Sequence, residues 1–218
     1  MKGRAAALLL CLALSGCANT PHGRAVYVLV DTSGSYIRAV PKAARIIRYL
    51  LGTLEPGDTL AVARITSLSF TNKDRVTAVT LARRPTQADA QKRAVAARIG
   101  AFVKAMAGRT GTPYTDISGA LLEAADFLQG VPAHHKEIII VSDMRQDLPP
   151  GAIRHVTLPL HHVAVLAANV IKSRGENLDP ARYLARMARW RKRITAGGGR
   201  FVVVHELTRL PELLRDPS

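Results

Sequence analysis

Cysteine is nearly missing from this 218-residue sequence: Cys11 and Cys17 are its two cysteines, both close to the amino end. With neither inside the bulk of the chain, that bulk has to be stable without a disulfide. Aromatic residues are few, at 5%, so aliphatic side chains must build the core. That balance suits an α/β sandwich of Val/Ile/Leu strands and Ala/Leu helices, and excludes a disulfide-stapled miniature or a disordered chain. Acidic residues are scarce too, 16 against 31 Lys and Arg, for a net charge of +15. Such a charge can hold a protein near anionic surfaces. No nucleic-acid reader motif accompanies it, and the many arginines come with many alanines, so nucleic acid is not expected as a partner. Apolar runs of about 20 residues, the length a membrane-spanning helix needs, are lacking, as are internal repeats and any sign of a second domain.

What is present begins with a targeting pattern. Lys2 and Arg4 precede a short apolar run over residues 5–14, which ends in Leu14-Ser15-Gly16-Cys17. This resembles the lipobox of bacterial lipoproteins. The resemblance implies a signal peptide over 1–16, a lipidated Cys17 with a short tether over 17–24, and an exported domain over 25–215. The protein would then be anchored by lipid to a membrane of the cell envelope, on the periplasmic side if the envelope is Gram-negative. Removing the signal would lower the net charge by the two units of Lys2 and Arg4.

Along the body, residues 25–30 read as a fully buried strand ending at Asp31. A helix follows, with Ile37, Val40, Ala44, Ile47 and Leu51 at steps of three and four. Strands at 59–65 and 75–81 are joined by a short turn, which favours an antiparallel pair at a sheet edge. Thr86-Gln87-Ala88-Asp89 has the spacing of a capping box and starts a helix burying Val95, Ile99, Phe102 and Met106. Residues 109–114 form a loop before a helix with Ile117, Leu121, Ala124 and Leu128 on its apolar side. Buried strands are expected at 137–141, near 162–166 and at 201–204. Asp179 and Pro180 start a further helix that faces Tyr183, Met187, Trp190 and Ile194 inward, and 211–214 is a short closing helix. The alternation predicts one doubly wound, mostly parallel sheet with a single antiparallel edge strand and helices on both faces.

In such a sheet, ligands bind at the carboxyl ends of the strands. There the sequence places Asp31, Ser33 and Ser35 after the first strand and Asp143 after the strand at 137–141. Thr112, Tyr114, Thr115 and Asp116 lie ahead of a helix. Two carboxylates with several hydroxyls form a hard oxygen set, which selects Mg²⁺, Mn²⁺ or Ca²⁺ over zinc or copper. The spacing Asp31-x-Ser33-x-Ser35, a later loop threonine and Asp143 after a buried strand resemble the metal-ion-dependent adhesion site of von Willebrand factor type A domains. Gly57-Asp58 ahead of the second strand is similar to that family as well.

The resemblance implies direct metal contacts from the Ser33 and Ser35 hydroxyls, with Thr115 as the third hydroxyl and Thr112 as its competitor. Asp31 and Asp143 would hold metal-bound waters and supply charge. One coordination position stays open for an acidic side chain of a protein partner. The chain departs from the family pattern at Met144, where glycine often follows the last aspartate. A side chain there would alter the loop or narrow the site.

Two further readings compete with a non-enzymatic, metal-dependent binding module. A phosphatase of the haloacid dehalogenase type also begins from an aspartate after a first strand, but needs an acid two positions later, where this chain has Ser33. A metal-free scaffold would be expected to have lost members of the five-residue set, and all five are present. The neighbouring pairs His134-His135 and His161-His162, with His155, are read as solvated or core histidines, since strand neighbours point to opposite faces. Arg182, Arg186, Arg189 and Arg193 make a helical stripe that is read as a solvated surface, with an anion-binding face as the alternative.

Overall fold

The computed structural model describes residues 23–154 and 156–204. The signal peptide, Cys17, nearly all of the tether, His155 and the closing helix at 211–214 lie outside the described residues. Six strands form one sheet: β1 Arg24–Asp31, β2 Thr59–Ile65, β3 Arg75–Thr80, β4 His135–Val141, β5 Val163–Ala168 and β6 Arg200–Val204. Their order is β3-β2-β1-β4-β5-β6, parallel throughout except for the antiparallel β2–β3 pair at one edge. This is the expected doubly wound sheet.

The strands read as unbroken apolar runs because both faces are covered. Val26, Val28 and Val30 of β1 join one core cluster, while Ala25, Tyr27 and Leu29 join the other. Against the first face pack α1 Val40–Thr53 and α2 Pro85–Met106, through Ile47, Leu50, Ile99 and Phe102. Against the second pack α3 Ile117–Gln129 and α5 Pro180–Ala196, through Leu121, Leu128, Met187 and Trp190. Each fully buried Leu, Ile or Val contributes about 1.5–3 kcal/mol relative to its exposed state, so these two layers fix the sheet between them. Among the described residues no helix is long and apolar enough to cross a membrane.

Two elements differ from the sequence reading. The helix α2 begins at Pro85 with Arg84 as its N-cap and no side-chain cap, so Thr86 lies inside the first turn. Proline has no N–H to lose and a preset φ at the first helical position, which starts the helix ahead of the apparent capping box. Met106 at its far end is half-buried rather than buried. A short helix, α4 Arg174–Leu178, was not expected; Ser173 and Glu176 form a reciprocal capping box at its start. The expected Asp179 cap is present, its carboxylate accepting from the Ala181 N–H at 3.1 Å.

The chain winds outward from β1 through β2 to β3, then returns to place β4 on the other side of β1. The helix α1, which follows β1, and α3, which precedes β4, pack on opposite faces, and the reversal of winding between β1 and β4 opens a crevice above their carboxyl ends. Val30 pairs in register with Val141, which brings Asp31 and Asp143 to the rim of that crevice.

Candidate functional site

Asp31 is the last residue of β1 and is fully buried. Its Oδ1 accepts from the Ser33 N–H at 2.9 Å and its Oδ2 accepts from the Ser142 hydroxyl at 2.6 Å. Burial pushes this carboxyl above the usual range, the hydrogen bonds from Ser142 and Ser33 oppose the rise, and the nearby charge of Asp143 adds to it. The turn that follows presents Ser33 and Ser35 with their hydroxyl oxygens 3.3 Å apart. Ser35 is exposed, and its Oγ stands 3.5 Å from Asp143 Oδ2. Tyr36 closes the turn: it is buried and donates its hydroxyl to the Asn169 carbonyl at 2.7 Å, tying the loop to the end of β5.

The loop before α3 is held against this turn by backbone bonds. The Gly34 N–H donates to the Thr112 carbonyl and the Thr112 N–H to the Thr32 carbonyl, both at 3.0 Å. Gly111 permits the approach: its φ is +82°, and an added Cβ would lie 2.6 Å from the Gly34 nitrogen. The Thr112 hydroxyl is turned into its own loop, donating to the Tyr114 carbonyl at 2.9 Å. Thr115 is buried and its backbone pairs with Asp147, by bonds of 2.7 and 3.0 Å. Among the described residues no hydrogen bond engages the Thr115 hydroxyl. Of the two competing threonines, Thr115 is the one whose hydroxyl is uncommitted.

Asp116 serves the helix instead. Its Oδ1 accepts from the Gly119 N–H at 2.8 Å, and its Oδ2 takes the Ser69 N–H and the Arg154 guanidinium. A Cβ on Gly119 would lie 2.2 Å from that carboxylate, which accounts for glycine at this position in α3.

Asp143 lies two residues beyond β4 and is buried. Its Oδ1 accepts from the Arg145 N–H at 2.9 Å, and Arg145 Nη1 is 3.8 Å from its Oδ2. Met144 between them adopts a φ of 61°, the left-handed region in which glycine is unstrained. Its side chain does not narrow the site. It points away into the α3/α5 core layer, fully buried, while its carbonyl accepts from Trp190 Nε1 at 2.8 Å.

Ser33, Ser35, Thr112, Thr115, Arg145 and Asp147 thus line one open cavity of about 640 Å³ above the strand ends. Gly57 and Asp58 are at the opposite pole, where the Asp58 carboxylate accepts from the Arg24 and Glu55 N–H groups at 2.8 Å and pins the start of β1. His134, His135, His161 and His162 are exposed. No group of three His, Cys, Asp or Glu is gathered anywhere among the described residues.

The α5 arginine stripe, read as a solvated surface, is solvated at Arg182 and Arg189 but not at Arg186 and Arg193. Arg186 is 5% exposed and lies 3.2 Å from Glu176, and Arg193 donates to the Ser118 hydroxyl at 2.7 Å and the Arg154 carbonyl at 3.0 Å. Those partners come from α4, α3 and the loop after β4, which spacing along α5 does not reveal.

No protein-family model matches the sequence, and no curated protein does. Solved structures supply the likeness. A von Willebrand factor type A protein from Catenulispora acidiphila superposes with a TM-score of 0.53 at 16% identity, over 89% of this chain. This chain spans 41% of that protein's length. An aerotolerance-related membrane protein from Bacteroides fragilis follows, with a TM-score of 0.48 and 16% identity over 88% of this chain and 97% of that one. The manganese-loaded TRAP protein of Plasmodium vivax gives 0.41 and 17%, over 88% of this chain and 63% of that one. By sheet order, layer arrangement and the first of these likenesses, the chain has the von Willebrand factor type A fold.

Proposed function

We propose that this is a non-enzymatic binding module that holds one divalent cation, Mg²⁺ or alternatively Mn²⁺ or Ca²⁺, and engages a protein partner through it. The observation that carries the reading is the convergence of the Ser33 and Ser35 hydroxyls, 3.3 Å apart, on a cavity that Thr115 also lines, with Asp143 behind them 3.5 Å from Ser35. All are oxygen donors, the class that hard cations take. Ser33, Ser35 and Thr115 would hold the ion, with Asp31 and Asp143 orienting its waters. A bound cation with an open position supplies a Lewis-acidic contact for one carboxylate. Arg145 at the rim adds a second positive group, which favours an acidic side chain on the partner.

The phosphatase reading fits the geometry less well. That chemistry needs a general acid two positions after the nucleophile, and Ser33 stands there, its hydroxyl 3.3 Å from that of Ser35. The proposal also covers the ends of the chain: a signal peptide over 1–16, Cys17 acylated, a tether over 17–24 and the domain over 25–215, anchored by lipid in a bacterial envelope.

Calorimetric titration of the purified chain with Mg²⁺ and with Mn²⁺ tests the site. One ion should bind, and Ser33→Ala with Ser35→Ala should abolish binding while the melting temperature changes little, because both side chains sit in a turn. Equal affinity in the double variant overturns the assignment of these residues, and absence of binding by the native chain leaves the metal-free scaffold.

A further inference from the structure

The helix α5 carries arginine at 182, 186, 189 and 193, steps of three and four that place all four along one side. Opposite them stand Arg145, from the loop after β4, and Glu176 of α4. Together these residues line a second open cavity, of about 590 Å³, next to the candidate metal site. Arg145 borders both. Five guanidinium groups thus line the cavity with one carboxylate, Glu176; behind them Asp143 lies 3.8 Å from Arg145, and the charge of Asp116 reaches Arg193.

The Glu176 carboxylate is already spent. Glu176 Oε2 accepts from the Ser173 N–H at 2.9 Å, the Ser173 hydroxyl at 3.1 Å and Arg145 at 2.8 Å, and its Oε1 lies 3.2 Å from Arg186. Burial pushes the Glu176 carboxyl up, but the Ser173 and arginine contacts outweigh it and hold the group below its ordinary value. It is therefore charged and has no further charge to offer. Arg186 is 5% exposed, yet none of its three guanidinium nitrogens makes a hydrogen bond among the described residues. Burial and the charge of Arg145 lower its pKa against the pull of Glu176. Like charges three and four residues apart destabilise a helix, and an unmet buried donor carries an uncompensated desolvation penalty. An anion in the cavity offsets both.

We propose that this cavity is an oxyanion site that takes phosphoryl groups. The surplus of guanidinium over carboxylate exceeds what one carboxylate ligand can balance. A phosphate monoester carries about −1.5 to −2 charges near neutral pH and three acceptor oxygens, and the planar guanidinium fork fits them two at a time. The cavity has room for more than one phosphoryl group or for the body that bears it. The source is a soluble phosphate ester or the phosphate of a lipid headgroup. The site stands independently of the metal reading.

Titration of the purified chain with pyrophosphate tests it, in buffer stripped of divalent cations by a chelating resin so that the metal site plays no part. Arg182 and Arg189 are exposed, so Arg182→Gln with Arg189→Gln spares the fold, which thermal melting verifies. Pyrophosphate should bind the native chain, and the double variant should bind about a hundredfold more weakly, about tenfold per lost charge-assisted contact. Arg45→Gln with Arg48→Gln, exposed on α1, removes the same charge elsewhere and should leave affinity within about twofold, as expected of distant surface sites. Displacement of pyrophosphate by dihexanoylphosphatidic acid, compared with glycerol phosphate, then separates a lipid headgroup from a soluble ester. Absence of binding, equal binding by the Arg182/Arg189 variant, or an equal loss in the α1 control overturns the proposal.

Discussion

Met144 is the residue at which local preference and tertiary packing disagree. A left-handed φ costs a side-chain-bearing residue about 1–2 kcal/mol, whereas burying this side chain in the α3/α5 layer is worth more, since truncating a buried Met costs about 2–5 kcal/mol. Met144→Gly should therefore destabilise the domain despite relieving the backbone. Met144→Ala should be worse still, because it gives up the packing and keeps the strain. That order, native above Gly above Ala, reverses the usual advantage of alanine over glycine, and urea unfolding of the three proteins would show it. An alanine variant as stable as the glycine variant would remove backbone strain from the account. At this scale the site was largely legible: Asp31, Ser33, Ser35 and Asp143 follow apolar runs that could only be central strands. Resemblance alone sets Thr115 ahead of Thr112; that the Thr112 hydroxyl is taken up by its own loop is not visible in the spacing. The direction of Met144 was equally hidden, since a left-handed φ leaves no mark in the residue's name.

At the scale of elements, what could be read was whatever the element's own residues dictate. The strands β1 and β4 announce themselves by Val and Ile without interruption, and α3 and α5 by apolar residues at helical steps. What could not be read depended on neighbours. The helix α4 has five residues, too few for a periodicity, and the burial of Arg186 requires Glu176 from that same unseen helix.

The start of β4 holds a testable conflict of its own. Glu137 is almost fully buried in the sheet, 3.8 Å from Arg24, and its carboxylate oxygens make no hydrogen bond among the described residues. Burial lifts its pKa to about 7, against the attraction of Arg24 and Arg200 and helped by Asp58. In the folded chain the group therefore keeps its proton to higher pH than in the unfolded chain. Its favourable contribution is complete below the unfolded value, near 4.5, and is lost as pH rises through about 7. Stability should fall across that window by about 3 kcal/mol at most. Glu137→Gln should flatten the fall and leave the domain more stable than native at pH above 7, measured by denaturant unfolding at a series of pH values. An undiminished slope in the variant would assign the pH dependence elsewhere.

For the whole molecule, the decisive property is polarity along β1. The chain enters the sheet at Arg24, where Asp58 pins it, and reaches the candidate site at the other end of the same strand. A tether from Cys17 to the start of β1 spans at most roughly 25 Å at 3.3–3.6 Å per residue, so an anchor at Cys17 would turn the site away from its own membrane. Cys17→Ala should release the protein from the membrane fraction or leave it unprocessed. A mature-sized Cys17→Ala chain that still sediments with membranes would rule out lipid anchoring at this residue. The doubly wound class was open to inspection at this scale because the alternation of elements fixes it, and the pole carrying the site followed from the ends of the strands.

The same polarity bears on how the molecule would respond to being pulled. Tension between a partner held at the Ser33–Ser35 turn and an anchor before Arg24 would run along the axis of β1. That strand is flanked on both sides by parallel neighbours, β2 and β4, each in register over seven residue pairs. The ladder bonds lie across the strand, so traction along it strains all of them at once in shear rather than peeling them one by one. Traction applied instead at the edge strand β3, across its pairing with β2, would open the bonds in sequence. If the anchor and the partner sit as proposed, the two loaded points would lie at opposite ends of a strand held on both sides by ladders loaded in shear.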